Sequence, residues 1–308
     1  MRFDVMIEGQ EGVGWERWRA LARTCERLGF TGLMRSDHYM SLDGHTERAA
    51  LDAWTTLSAL AAVTTTLRLG TLVSPATFRH PSVLAKAVVT ADHVSGGRVE
   101  LGMGMGWHEG EHRAYGFPFP PPAERFTHFE EQVAIVTGAW GEGPFTFRGR
   151  HYTVEDLDAQ PKPVQERLPL ILGGKAGPRA AALAARYASE YNVVHVTAPV
   201  AAAARRRLDE ACEAIGRDPA TLPMSLMNGY LVGAGEAGLA ARRTELGRWT
   251  DGAQPAPFWM VGTPDQLVED LAEYREAGVT RVMLQHLLVA DDDALELIAR
   301  EVVPVLGD

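Results

Sequence analysis

Apolar and polar positions along this chain switch between two periods. Arg2 to Glu8 alternates and stops at Gly9, as a strand does. Trp15, Trp18, Leu21, Ala22, Cys25 and Leu28 then recur at helical spacing, and Gly29 closes the run. The exchange repeats to the end of the chain. Further strands are expected over 32–36, 67–73, 99–105, 168–172, 191–196, 224–232 and 279–284. Helices are expected over 52–63, 81–94, 123–139, 199–215, 263–277 and 291–305, with another running from the glycines near 174 to about 188. Strands that alternate with helices build a parallel sheet. Eight such strands in one chain of 308 residues predict an α/β fold, a (β/α)8 barrel forming one domain over 1–308. A doubly wound open sheet is the alternative. Against it, no G-x-G-x-x-G follows the first strand.

Two segments interrupt the alternation. Residues 107–122 are rich in aromatics, His, Pro and Gly, and 145–154 reads as a hairpin turning at Arg148-Gly149. Both follow the fourth strand, so they are expected as insertions at the C-terminal face of the barrel, where active sites lie. The loop 250–258, after the seventh strand's helix, is a third candidate to reach over the pocket.

The net charge of −10 argues against nucleic acid as partner, because no Lys/Arg run offsets it. No apolar run approaches the ~20 residues that span a bilayer, and the first residues read as a strand rather than a signal peptide. A cytoplasmic protein without membrane contact is expected. Cys25 and Cys212 both fall on expected helices and read as reduced core thiols.

Candidate chemistry gathers at the strand ends. Gly173-Gly174-Lys175-Ala176-Gly177-Pro178 joins a strand to a helix. Such a turn points free backbone N–H groups at the positive end of the helix dipole, a place for phosphate or carboxylate. Lys175 adds the positive charge an anion needs in an acidic protein. Gly102, Gly104 and Gly106 alternate with methionines in the fourth strand. They mark close approach of a flat ring or of another backbone. His38, His195 and His286 stand near the ends of strands two, six and eight. Asp37 is the clear carboxylate among them, so the pattern favours an organic cofactor, and no metal is expected. Ser74 would allow a Ser-His-Asp arrangement, but no G-x-S-x-G accompanies it.

Four stretches together resemble the luciferase-like monooxygenase superfamily, in the branch that uses the deazaflavin coenzyme F420. They are Leu28 to Tyr39 (LGFTGLMRSDHY), Leu67 to Gly116, Leu168 to Asn192 (LPLILGGKAGPRAAALAARYASEYN) and Val261 to Leu284. Glu111 to Phe126 is similar to one deazaflavin-associated subgroup. The resemblance implies a barrel, commonly a homodimer, with a flavin-like ring across its mouth. It implies a non-proline cis peptide within 71–74, which brings Val73 and Ser74 to the ring. The ring would lie near Gly104 and Gly106, and the anionic tail on Gly173, Gly174, Lys175, Ala176 and Gly177. His38, in the S-D-H motif, becomes the first candidate for a proton donor beside the ring, with Asp37 orienting it or touching the ring. Deazaflavin-dependent sugar-phosphate dehydrogenases of this superfamily carry a glutamate just after the fourth strand's glycines. Here Trp107 stands there and Glu109 two residues on, which points away from sugar phosphates. Trp107, Tyr115 and Phe117 suggest an aromatic pocket wall, with His195 and His286 as further substrate contacts.

The leading reading is hydride transfer between F420 and a small organic substrate, such as C=C or C=N reduction. An F420-reducing dehydrogenase or reductase would supply the cofactor. An FMN-dependent monooxygenase would instead need O2 and a flavin reductase. A non-catalytic flavin-binding protein would bind without turnover, and a hydrolase on this barrel would hold a metal.

Overall fold

The computed structural model describes residues 1–308 apart from Asp43, Ala253 and Asp308. Eight parallel strands close into a barrel: β1 (Arg2–Ile7), β2 (Gly32–Arg35), β3 (Arg68–Thr71), β4 (Val99–Gly104), β5 (Leu170–Gly174), β6 (Glu190–Val194), β7 (Met224–Val232) and β8 (Val279–Gln285). Each pairs with the next, and β8 returns to β1 through Asp4 opposite Met283. The expected (β/α)8 barrel is therefore the fold. The helices around it are α1 (Trp15–Leu28), α2 (Ala53–Val63), α3 (Pro81–Ser95), α4 (Glu109–Tyr115), α5 (Pro122–Trp140), α6 (Pro178–Tyr187), α7 (Ala198–Glu213), α8 (Glu236–Trp249), α9 (Pro264–Glu276) and α10 (Asp292–Glu301). Among the described residues, no helix is long and apolar enough to cross a membrane.

Start and stop signals explain the element ends. Asp52 caps α2 by accepting from Thr55 N–H. Thr263 and Gln266 form a capping box at the start of α9. Gly29 ends α1 in the left-handed region. Cys25 and Cys212 are buried free thiols, as expected.

The strands bury both faces. Phe3, Val5 and Ile7 of β1 join the helices in the main core. Asp4 and Met6 fall on the other face, inside the barrel, where the layers differ. At the floor, Arg281 is buried among Asp4, Glu100 and Glu190. Toward the mouth, Met6, Met34, Leu72, Ile171, Met227 and Met283 fill the next layer. Unbranched methionine adapts to such a tapering space.

The segment 107–122, expected as an insertion, contains α4. It is seven residues long and capped by His108, whose Nδ1 accepts from Glu111 N–H at 3.1 Å. The hairpin is present, with strands Phe145–Arg148 and Thr153–Leu157. It lies along α5, whose Glu131 accepts the N–H groups of Arg150, His151 and Tyr152. A short strand, Met260–Gly262, which the periodicity did not reveal, extends the sheet beside β7.

Candidate active site at the barrel mouth

The end of β3 shapes the floor of the mouth. The Leu72-Val73 bond is a non-proline cis peptide, inside the expected span. After it, Ser74–Pro75 rejoins β4 opposite Met103 and Gly104. The β4 glycines answer to this bend. A Cβ on Gly102 would collide with the Thr71 carbonyl oxygen. One on Gly104 would lie 2.5 Å from Val73 Cγ2, and one on Gly173 would lie 3.0 Å from Val73 Cγ1. Close approach of a neighbouring segment thus accounts for Gly102 and Gly104. Val73, Gly104 and Gly173 come together as a smooth patch. Gly106, at φ 82°, turns the chain out of the strand beside Thr77.

Asp37 and Ser74 serve a different cluster from the one expected. Ser74 is wholly buried; its hydroxyl donates to Asp37 Oδ2 at 2.6 Å and accepts from Trp54 Nε1 at 3.0 Å. Arg79 donates to the same Asp37 oxygen at 2.5 Å and to Asp52 at 2.7 Å. Asp37 therefore ties β2 to the loop after β3 and makes no hydrogen bond to the His38 ring. Its Oδ1 is buried and unpartnered among the described residues.

Glu111 is what orients His38. Its Oε2 lies 2.6 Å from His38 Nδ1, and its Oε1 accepts Tyr39 N–H at 2.6 Å. Glu111 is wholly buried, whereas Glu109 on the same helix is exposed. Burial pulls the proton affinity of His38 down. The hydrogen bond and charge of Glu111, with Glu8 and Asp37 further off, outweigh it, so its pKa is raised. With Nδ1 committed to Glu111, Nε2 is the ring nitrogen left for chemistry. Sequence reasoning missed Glu111. The available signal was a carboxylate three residues after His108, inside the insertion 107–122.

Aromatic rings stand around this pair. Trp107 and Phe78 meet the His38 ring edge-on, each at 6.3 Å. Tyr39, Tyr115, Phe117 and Phe78 form a continuous cluster, tied by Tyr115 OH donating to the Tyr39 carbonyl at 2.7 Å. Trp107 remains 65% exposed and Tyr115 50% exposed, consistent with a wall facing open space.

The loop after β5 is braced from beneath. Ala176, at φ 48°, is buried, and its N–H donates to Tyr191 OH at 2.9 Å. That N–H is not available to an anion, which corrects the expectation for Ala176. Arg207 Nε donates to the Ala176 carbonyl at 2.8 Å. Gly174 has φ 148°, a conformation that favours glycine. Gly177 caps α6 without any side-chain hydrogen bond, and space is open beside it. Lys175 is exposed and has no ion-pair partner among the described residues. The fit to an anionic tail therefore rests on Lys175 and the uncapped turn 177–180.

The two remaining histidines separate. His195 sits at the mouth, exposed, at φ 53°; its Nε2 lies 3.2 Å from Gln285 Oε1 and its ring stacks on Phe258 at 4.8 Å. Phe258, at the end of the loop expected to reach over the pocket, thus lies at the mouth. His286 does not join it. Its side chain alternates to the outer face of the sheet, where it is buried with Nδ1 2.6 Å from Tyr230 OH. A one-residue step past Gln285 decides this, because successive strand residues face opposite ways.

A family model described as luciferase-like monooxygenase matches residues 1–243. An FMNH(2)-dependent dimethylsulfone monooxygenase of Pseudomonas putida is 26% identical over 94% of this chain and 87% of its own length. An F420-dependent hydroxymycolic acid dehydrogenase of Mycobacterium tuberculosis is 30% identical over 79% of this chain, and the match spans 66% of that protein. The solved structure of an F420-dependent secondary alcohol dehydrogenase in complex with an F420-acetone adduct superimposes with a TM-score of 0.83. It covers all of both chains at 20% identity and so reports on the fold.

Proposed function

This chain belongs to the luciferase-like monooxygenase family and is an oxidoreductase, and on that premise we propose that it works with the deazaflavin F420 on a small organic substrate. The observation that carries the chemistry is the Glu111–His38 pair at the mouth. When bound, reduced F420 supplies a hydride. Reduction of a polarised C=C or C=N bond needs a hydride at one end and a proton at the other. His38 Nε2 delivers that proton, and Glu111 stabilises the protonated ring before delivery. Val73, Gly104 and Gly173 provide the apolar floor for a flat ring. Lys175 and the start of α6 hold its anionic tail. Trp107, Tyr115 and Phe117 line the open side of the mouth and favour an apolar or aromatic substrate.

An FMN-dependent monooxygenase is the second reading, supported by the near full-length match to the dimethylsulfone enzyme. Oxygen separates the two, because a deazaflavin carries carbon where the flavin has the reactive ring nitrogen. Titration of the protein with oxidised F420 and, separately, FMN, followed by fluorescence, tests the proposal. Tight F420 binding with weak FMN binding is expected; preference for FMN overturns it. We also infer a homodimer, supplied with reduced cofactor by a separate dehydrogenase. Light scattering that returns the monomer mass of 33.5 kDa would refute the dimer.

A further inference from the structure

Away from the mouth, α5 and the hairpin bring three metal-type side chains together. Glu124 and His128 are four residues apart on α5 and so share one face. His151 comes from the hairpin turn. One ligand atom from each lies within 4.8 Å of the others. The two imidazole rings are stacked, with centroids 3.7 Å apart and planes at 24°. His151 Nε2 is buried and has no hydrogen-bond partner among the described residues. Such an orphaned polar atom calls for a partner that the protein itself does not supply.

We propose that Glu124, His128 and His151 form a site for a divalent transition-metal ion of the zinc class. Two imidazoles and one carboxylate are a zinc donor set, with a fourth position left to water. Hard cations such as Mg2+ prefer oxygen ligands alone. Zinc–nitrogen bonds of about 2.0–2.1 Å place tetrahedral donors roughly 3.4 Å apart, so the rings splay and donors that lie within 4.8 Å of one another draw closer. Tyr152 OH lies 3.4 Å from His128 Nδ1 and accepts from Gln132 Nε2 at 2.8 Å. That contact leaves His128 Nε2 for the ion, oriented as outer hydrogen bonds orient metal-binding histidines. Glu131 already holds the turn through three backbone N–H groups, so binding moves the rings and leaves the turn in place. Gln132 also donates to the Arg79 carbonyl at 3.1 Å. The ion thereby clasps the hairpin, through Tyr152 and Gln132, to the loop that carries Phe78.

The test uses the full chain without a polyhistidine tag, freed of metal by chelator and dialysed. It is titrated with zinc chloride in a calorimeter, and the melting temperature is followed in parallel. One zinc per chain is expected, with a chelator-reversible rise in melting temperature that millimolar Mg2+ leaves unchanged. His151→Ala should abolish the binding. Glu124→Gln, which keeps the size and shape of the side chain, should weaken zinc by about tenfold or more. If His151→Ala does not fold, Glu124→Gln decides alone. No zinc uptake by the wild type, zinc affinity of the variants equal to the wild type's, or displacement by Mg2+ would overturn the proposal.

Discussion

At His38 two effects oppose each other: burial disfavours the charged ring, and the Glu111 carboxylate 2.6 Å away favours it. The carboxylate wins, so the ring keeps its proton to higher pH than free imidazole. Its contribution to stability is fully present below the unfolded value near ~6.5 and is lost as pH rises through the raised folded value. Glu111→Gln removes the charge and keeps an acceptor. The pH at which turnover falls on the alkaline side should then move down; an unmoved profile would leave Glu111 a merely structural role. His38→Ala should lower kcat by about 10²–10⁴-fold with cofactor affinity nearly unchanged. Unaltered kcat would remove His38 from the chemistry. His38 was legible because a histidine after a strand end is visible in sequence. Glu111 was not, because it lies 73 positions away and meets His38 only when α4 folds across the mouth.

Elements constrain one another at the β3–β4 contact and at the loop before α6. Gly102 has no room for a Cβ, because the Thr71 carbonyl occupies it. Gly102→Ala should destabilise the fold by about 1–3 kcal/mol in urea unfolding; wild-type stability would mean that β3 yields freely. Lys175 is exposed and in the proposed function acts through its charge, so Lys175→Glu should leave the far-ultraviolet spectrum unchanged. It should weaken F420 binding by roughly tenfold at low salt, and less at high salt. Salt-independent affinity equal to wild type would place the anionic tail elsewhere. The glycine alternation in β4 was visible in sequence, and its cause was not. A missing side chain reports crowding, while the identity of the crowding partner depends on which strand lies alongside.

On the scale of the whole molecule, the barrel separates charge from function. Arg281, Asp4, Glu100 and Glu190 lie buried at the floor, and the methionine layer stands between them and the mouth. Buried charges this closely paired are costly to break. His286, between the barrel wall and the helices, is held neutral by burial, its pKa brought down to about 4. The unfolded chain binds that proton near ~6.5, so stability should fall as pH drops from there toward 4. His286→Gln should flatten that part of the melting-temperature profile. An unchanged slope would assign the acid loss to other groups.

Fold class and the order of strands and helices were determined by the sequence alone, because burial on a closed barrel imposes periods of 2 and 3.6 that each segment carries locally. The same local signals placed the glycine loop before α6, and resemblance pointed to the bend after β3. Only the tertiary structure decided which polar groups meet. It gave Asp37 to Ser74 and Arg79, and His38 to Glu111. It sent His286 outward, one residue past the mouth, and set His151 against His128. Those pairings join residues distant in sequence through barrel closure and helix docking, and no local period encodes a contact across such separations.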